Sequence, residues 1–199
     1  MFKGCSSLAT VYKLYVTNVG ENSCREMYMG CTSLKNIPSD MLTLATTVGT
    51  NGCNGMFSGC TSLESSTEIG ATAMAYGSFA YMYRNCASLL STPNELPATT
   101  LSSMCYRQMF YGCTSITEAP VLPALTLVSQ AYMEMFDGCT HLAKIKMMAT
   151  DVTASQCLTN WVRGVAASGL FIKNVDATWS GTGNSGVPNG WTVQTEAAQ

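Results

Sequence analysis

Cysteine is the residue type whose abundance first suggests chemistry, because the 199-residue chain contains ten cysteines beside thirteen methionines and one histidine. Cysteines can bind metal ions as thiolates, form disulfides or, when buried, pack as small apolar residues. The sequence contains no Cys-x-x-Cys pair of the kind that zinc sites use. Buried free thiols, one or more disulfides and a metal ladder are therefore the three alternatives, and the spacing favours buried thiols.

Catalytic groups are scarce. His141 is the only histidine, so a Ser-His-Asp or Cys-His mechanism would depend on this one residue, with no evident partner to orient it. The acidic residues are scattered, without the close carboxylate pair that glycoside hydrolysis needs. The methionines recur beside aromatic residues, which is typical of core filling and not of a copper site. The sequence predicts a protein that is not an enzyme and binds no metal or cofactor.

The charge balance and the length of the apolar runs each exclude one class of partner. Ten Lys and Arg against twelve Asp and Glu give a net charge of -2, without the basic excess that nucleic-acid binding requires. No apolar run approaches the roughly 18 residues of a membrane-spanning helix. We therefore expect neither nucleic-acid binding nor membrane insertion.

The cysteines mark an internal repeat of eight residues, Met-Phe-x-Gly-Cys-Thr-Ser-Leu, which we call the octad. Six copies recur at intervals of 26 to 29 residues, and a degenerate seventh begins at Trp161, with Val165 in place of the cysteine. The six copies begin at Met1, Met27, Met56, Met82, Met109 and Met135. A fixed period of this length is typical of solenoids, in which each unit packs only on its neighbours.

Each unit has a pattern that predicts one helix and one strand. In residues 102–111 a serine that can cap a helix is followed by apolar residues three or four apart, which predicts a helix of about two turns. The octad glycine, replaced once by Asn85, should end that helix with a positive φ. The octad Cys-Thr-Ser-Leu and the residues after it then predict a short parallel strand.

These elements together predict an α/β fold, a right-handed leucine-rich-repeat solenoid of about six units of 26–29 residues. We expect residues 1–157 to form this solenoid, and residues 158–199 to form the degenerate last repeat and a C-terminal cap. In the cap, Trp161 takes the Met position and residues 171–173 form a last strand. Residues 191–193 return beside that strand as a capping hairpin.

The octad, the Leu-Pro-Ala-x-Thr-Leu link at 96–101 and 122–127, and the Cys105-Tyr106-x-x-Met109-Phe110 segment resemble the BspA-like leucine-rich repeats. Those repeats occur in surface proteins of host-associated anaerobic bacteria. The resemblance implies a cell-surface or secreted adhesin that binds a host or bacterial surface protein or a glycan, and it brings no catalytic residues. The chain opens inside an octad without a signal segment, so we expect either a processed or truncated piece of a longer surface protein, or a parent protein that carries earlier repeats.

The side chains two and four residues past the octad leucine are expected to point away from the core. This surface is mostly small, hydroxylated and uncharged, which suits a glycan or a peptide main chain. The alternative interpretation, with equal weight, is a face that is only solvated. The candidate binding residues are Tyr12, Lys13, Asn36, Ser65, Ser91, Glu118, Lys144 and Lys146. The alternative function is a structural spacer, or a receptor-binding part of a larger surface or phage assembly.

Overall fold

The structure, a computed structural model, describes residues 1–198 and is a parallel β-solenoid of about seven turns. Two three-stranded parallel sheets, ordered β1-β2-β3 and β4-β5-β6, lie along it, and single β-bridges join further pairs of turns. The strands are β1 (Asn18–Val19), β2 (Thr47–Val48), β3 (Ala73–Met74), β4 (Lys144–Met147), β5 (Leu170–Asn174) and β6 (Thr192–Glu196). The octad period is therefore the length of one solenoid turn, and the copy at Trp161 adds a seventh turn to the six predicted.

Residues 1–198 contain no helix, so the predicted α/β repeat with a short helix in each unit is wrong. Each predicted helix is instead a run of consecutive tight turns, residues 20–31 for example. We call these runs together the turn ribbon. Alternate amides bond locally, as Met27 N–H does to the carbonyl of Cys24 at 3.2 Å. The amides between them donate to the next solenoid turn, as Tyr28 N–H does to Met56 at 2.9 Å. None of the described residues forms a helix that is long and apolar enough to cross a membrane.

Backbone angles give the physical reason for this difference. Every fourth residue of the ribbon has a positive φ, as Asn22 (51°), Glu26 (51°) and Gly30 (73°) show, whereas an α-helix needs negative φ throughout. The predicted positive φ of the octad glycine and of Asn85 (60°) is confirmed, but these residues lie in tight turns and do not cap helices. A ribbon of this kind depends on the neighbouring turn for half of its hydrogen bonds.

The predicted capping hairpin is also wrong. β6 pairs with β5 in parallel, with Leu170 opposite Thr192 and Asn174 opposite Glu196. A hairpin would require antiparallel strands. The chain between β5 and β6 therefore makes another crossover, and this end of the molecule continues the winding of the solenoid.

A column of stacked aromatic rings runs through the core. The rings of Tyr28, Phe57, Tyr83, Phe110 and Phe136 follow one another at 5.5–5.7 Å, with interplanar angles of 8–11°. Phe2 continues the stack at the first turn, and Trp161 ends its regular part at a tilted contact. Each octad aromatic ring from Tyr28 to Phe136 is therefore packed between the equivalent rings of the turns on either side.

The octad cysteines form a second column beside the aromatic one. Cys31, Cys60, Cys86, Cys113 and Cys139 are fully buried, and each thiol donates to the main-chain oxygen of the octad aromatic residue one turn earlier, at 3.0–3.1 Å. All ten cysteines are free thiols in the structure, and nine of them are buried. The cysteine count thus reports a repeated packing position.

Burial of the thiols predicts that the protein loses stability in alkali. Burial raises the pKa of Cys60 and of Cys105 from 9.0 to about 12. Above pH 9 the unfolded chain therefore releases protons that the folded chain still holds, so the stabilisation is complete below pH 9 and is lost as the pH rises towards 12. Each such thiol should lower the free energy of unfolding by about 1.4 kcal/mol per pH unit in this window.

Urea unfolding in reductant between pH 9 and pH 11 measures this effect. The Cys60→Ala/Cys105→Ala variant is the control, since it should lose stability less steeply with pH than the parent while retaining the other buried thiols and tyrosines. Equal slopes for the two proteins would contradict the assignment of the alkaline loss to these thiols.

Candidate functional site

The eight candidate residues lie on the part of each turn that follows the octad, and we call the surface they define the strand face. Tyr12, Asn36, Ser91 and Glu118 are exposed there, whereas Lys13, Ser65, Lys144 and Lys146 are half-buried. The residues four past the octad leucine do not all point outward as expected. Thr67 is fully buried, and its hydroxyl donates to the carbonyl of Ser39 in the preceding turn at 3.1 Å.

The lysines of the strand face are all engaged with carboxylates of other turns. Residues one repeat apart along the chain lie opposite each other in adjacent turns, so Lys13 meets Asp40 and Lys144 meets Glu118, each at 2.6 Å. Lys146 pairs with Glu196 at 2.8 Å. Pairs this exposed contribute at most about 1 kcal/mol each. The three lysines and their three carboxylate partners cancel in charge, which leaves the strand face nearly neutral.

The two candidate serines join neighbouring turns. Ser65 accepts a hydrogen bond from the amide of Ile37, and Ser91 accepts one from the amide of Ser66, both at 3.4 Å. In each case the hydroxyl hydrogen is left to be donated to another acceptor. These serines therefore contribute both to the stacking of turns and to the hydrogen-bonding capacity of the face.

Ser91 and Glu118 come together in a shallow cleft of about 350 Å³, which we call the strand-face cleft. Thr92 lines it and donates from its hydroxyl to the carbonyl of Glu118 at 3.2 Å. Asn94 lines it as well, and its main-chain and side-chain nitrogens donate to Glu68 at 3.0 and 2.9 Å. The cleft is thus walled by polar groups that hydrogen bonds between turns hold in place.

No protein-family model matches the chain, and no curated protein or solved structure shows significant similarity to it. The resemblance of the octad to BspA-like repeats therefore stays a prediction from sequence.

The other six candidate residues lie outside the strand-face cleft. Lys146 lines a different cavity, of about 120 Å³, together with Glu95 and Met148. The structure therefore brings only Ser91 and Glu118 of the eight into one concave site.

Sequence reasoning missed most residues of the strand-face cleft, among them Leu90, Thr92, Asn94 and Thr117. Leu90 is 62% exposed and lines the cleft. A signal for it was present, because the residue directly after the octad leucine or isoleucine is polar in three of the other octads, as Lys35, Glu64 and Thr117. Ala9 and Ala143 occupy this position in the remaining two octads, so Leu90 is the one large apolar side chain there and indicates a local difference in surface.

His141 is exposed, and its Nδ1 atom lies 2.6 Å from the main-chain oxygen of Thr114. The hydroxyl of Thr140 lies 3.4 Å from the same nitrogen. Among residues 1–198, no group of three or more His, Cys, Asp and Glu side chains is arranged to hold a metal ion. The geometry around the histidine thus offers a contact between turns.

Proposed function

We propose that this chain is a non-enzymatic binding module that recognises a protein or glycan partner through the strand face. The observation that carries the proposal is the strand-face cleft, where two residues predicted from sequence meet in one concave, polar site of about 350 Å³. By the resemblance to BspA-like repeats, the module would act at a cell surface or as a secreted protein. Its partner would be a host or bacterial surface protein or a glycan.

The chemistry of the strand-face cleft suits an uncharged, hydroxyl-rich or amide-rich ligand. Ser91 and Thr117 offer hydroxyl groups that both donate and accept. Glu118 uses Oε1 for Lys144, so Oε2 remains to accept from a sugar hydroxyl or a peptide amide. Leu90 adds exposed apolar surface against which the face of a sugar ring can pack.

The near neutrality of the strand face bears on the partner as well. Each of its three lysines has a carboxylate within 2.8 Å, so a strongly charged ligand would have to break these pairs. Adjacent parallel strands repeat at about 4.8 Å, which presents hydrogen-bonding groups at regular steps along the solenoid axis. An extended ligand lying along that axis would meet several turns at once.

The continuous aromatic column favours a second candidate function. Stacked cores of this kind make a stiff, quasi-one-dimensional rod. Such a rod would serve as a structural spacer, or as the receptor-binding part of a larger surface or phage assembly.

Binding of the full chain to immobilised glycans and matrix proteins tests the proposal. We expect saturable binding by the parent protein. The affinity should fall at least tenfold in the Ser91→Ala/Glu118→Gln variant, because both side chains contact the ligand in the proposal. The Glu64→Gln variant is the matched control, since it breaks the Lys35–Glu64 pair outside the cleft in the same way and should bind normally.

Three outcomes are informative. Loss of binding in the double variant alone supports the cleft. Equal binding by all variants places the ligand elsewhere and overturns the proposal. Absence of saturable binding on every surface overturns it in favour of the spacer.

A further inference from the structure

A second concave site lies on the turn ribbon, away from the strand face. It is a cavity of about 250 Å³ that spans three consecutive solenoid turns, and we call it the notch. Its shape follows from the register of the repeat. Gly55 occupies the position that Glu26 and Tyr81 hold in the turns on either side. Ser58 occupies the octad position that Arg84 holds in the following turn. Short side chains in the middle turn thus leave a gap between long ones.

Arg84 in the wall of the notch has aromatic support but no acidic partner. Its guanidinium carbon lies 5.1 Å from the ring centre of Tyr111 and 5.9 Å from that of Tyr81. Its Nε atom is buried without a hydrogen-bond partner, and among residues 1–198 it makes no ion pair. Arg163, at the same octad position, is instead paired with Asp137. The guanidinium of Arg84 is therefore held in place with its charge uncompensated.

The notch as a whole is positively charged. Arg25 lines it and also makes no ion pair within the described part of the chain. Glu26 is the one carboxylate in the lining, and it is bound to Lys3 at 2.7 Å. The hydrogen bond from Lys3 lowers the pKa of Glu26, so this carboxylate stays ionised and paired at neutral pH. An anionic ligand would meet two free guanidinium groups.

Neutral groups complete the lining of the notch. Asn54 donates its side-chain nitrogen to Asn51 at 3.1 Å, which fixes the amide and leaves its oxygen as an acceptor. Ser58 contributes a hydroxyl, and Tyr81 contributes an aromatic ring. Fixed polar groups, an aromatic ring and a guanidinium together match a ring that carries both hydroxyls and one acidic group.

We propose that the notch binds one sugar ring of an acidic saccharide. The carboxylate of the sugar accepts hydrogen bonds from the guanidinium of Arg84, its hydroxyls bond Ser58 and Asn54, and its ring packs on Tyr81. An acidic peptide is less well matched, because it would need a run of cations along an extended groove, whereas the notch is a single open step of about 250 Å³. This site is independent of the strand face, so either proposal can fail without the other.

Methionine-methyl NMR of the full chain provides the test, because Met29 lines the notch and reports on its occupancy. The protein is labelled with ¹³C-methyl methionine, and the Met29 signal is assigned from the Met29→Leu variant. Glucuronic acid and glucose are the matched probes, since the two sugars differ only at C6, which is a carboxylate in the first and a hydroxymethyl group in the second. Acetate and a short poly-glutamate peptide complete the set.

We expect glucuronic acid to shift the Met29 signal at concentrations at least tenfold below those that glucose or acetate requires. Arg84→Gln should weaken that response at least tenfold. Arg107→Gln replaces an arginine outside the notch that also makes no ion pair among residues 1–198, and it should leave the response unchanged. A shift by acetate at the same concentration as glucuronic acid would show a simple anion site and overturn the proposal. A stronger response to poly-glutamate, or an Arg84→Gln response equal to that of the parent, would overturn it as well.

Discussion

The Phe110→Ala variant is expected to lose about 3–5 kcal/mol of unfolding free energy. Phe110 is fully buried, and its ring is stacked between those of Tyr83 at 5.5 Å and Phe136 at 5.7 Å. Truncation removes the contacts on both faces of the ring and leaves a cavity in the middle of the column. Stability in a solenoid depends on interfaces between nearest neighbours, so one substitution weakens two interfaces.

Urea unfolding followed by circular dichroism measures this loss, and Phe2→Ala is the matched control. Phe2 occupies the same octad position but is 37% exposed and stacks on one neighbour only, Tyr28. Its truncation should therefore cost less than half as much. Similar losses for the two variants would show that the column does not carry the stability of the solenoid.

The repeat period and the identity of the core could be predicted from the sequence. The octad phenylalanine, cysteine and leucine recur at a fixed interval. A unit this short cannot bury its apolar side chains alone, so the repeat indicates that equivalent residues stack on one another in successive units. Phe110, Cys113 and Ile116 are fully buried as this reasoning requires. Periodicity reports burial well because burial is repeated in every turn.

The conformation of the turn ribbon could not be predicted in the same way. Cys105, Tyr106, Met109, Phe110 and Cys113 are buried at four-residue steps, and over ten residues a period of four cannot be separated from the 3.6 of a helix. Backbone angle separates them. A positive φ at non-glycine residues is rare, so it cannot be predicted from residue types such as those of Tyr81 and Gln108.

The candidate site was predicted in part, for a related reason. Alternation along a strand identifies outward residues such as Ser91 and Glu118, and their exposure follows. Whether outward residues form a cleft depends on how far the chain departs from the core between octads, which changes from unit to unit. The ion pair between Lys144 and Glu118 could be predicted only with knowledge of the register, which places residues one repeat apart in contact.

The register of neighbouring turns depends on a second class of residue, glycines at which the backbone of the next turn passes too closely for a side chain. Gly70 is one such position, since a Cβ added there would overlap the carbonyl oxygen of Thr43 and lie 2.8 Å from its carbonyl carbon. The amide of Gly70 also donates to Leu42 at 3.3 Å, so the two turns cannot separate without losing this bond. Gly70→Ala should therefore lower the free energy of unfolding by about 3 kcal/mol.

Gly181→Ala is the control for this prediction, because nothing lies within 4 Å of its added Cβ and its φ is not positive. Alanine at that position restricts the unfolded chain without straining the folded one, so stability should stay the same or rise by up to about 1 kcal/mol. Thermal and urea unfolding should thus show a large loss of stability for Gly70→Ala and no loss for Gly181→Ala. If Gly70→Ala were as stable as the parent, the close approach of the two backbones at this turn would be disproved, because the overlapping atoms belong to the main chain and cannot rotate away.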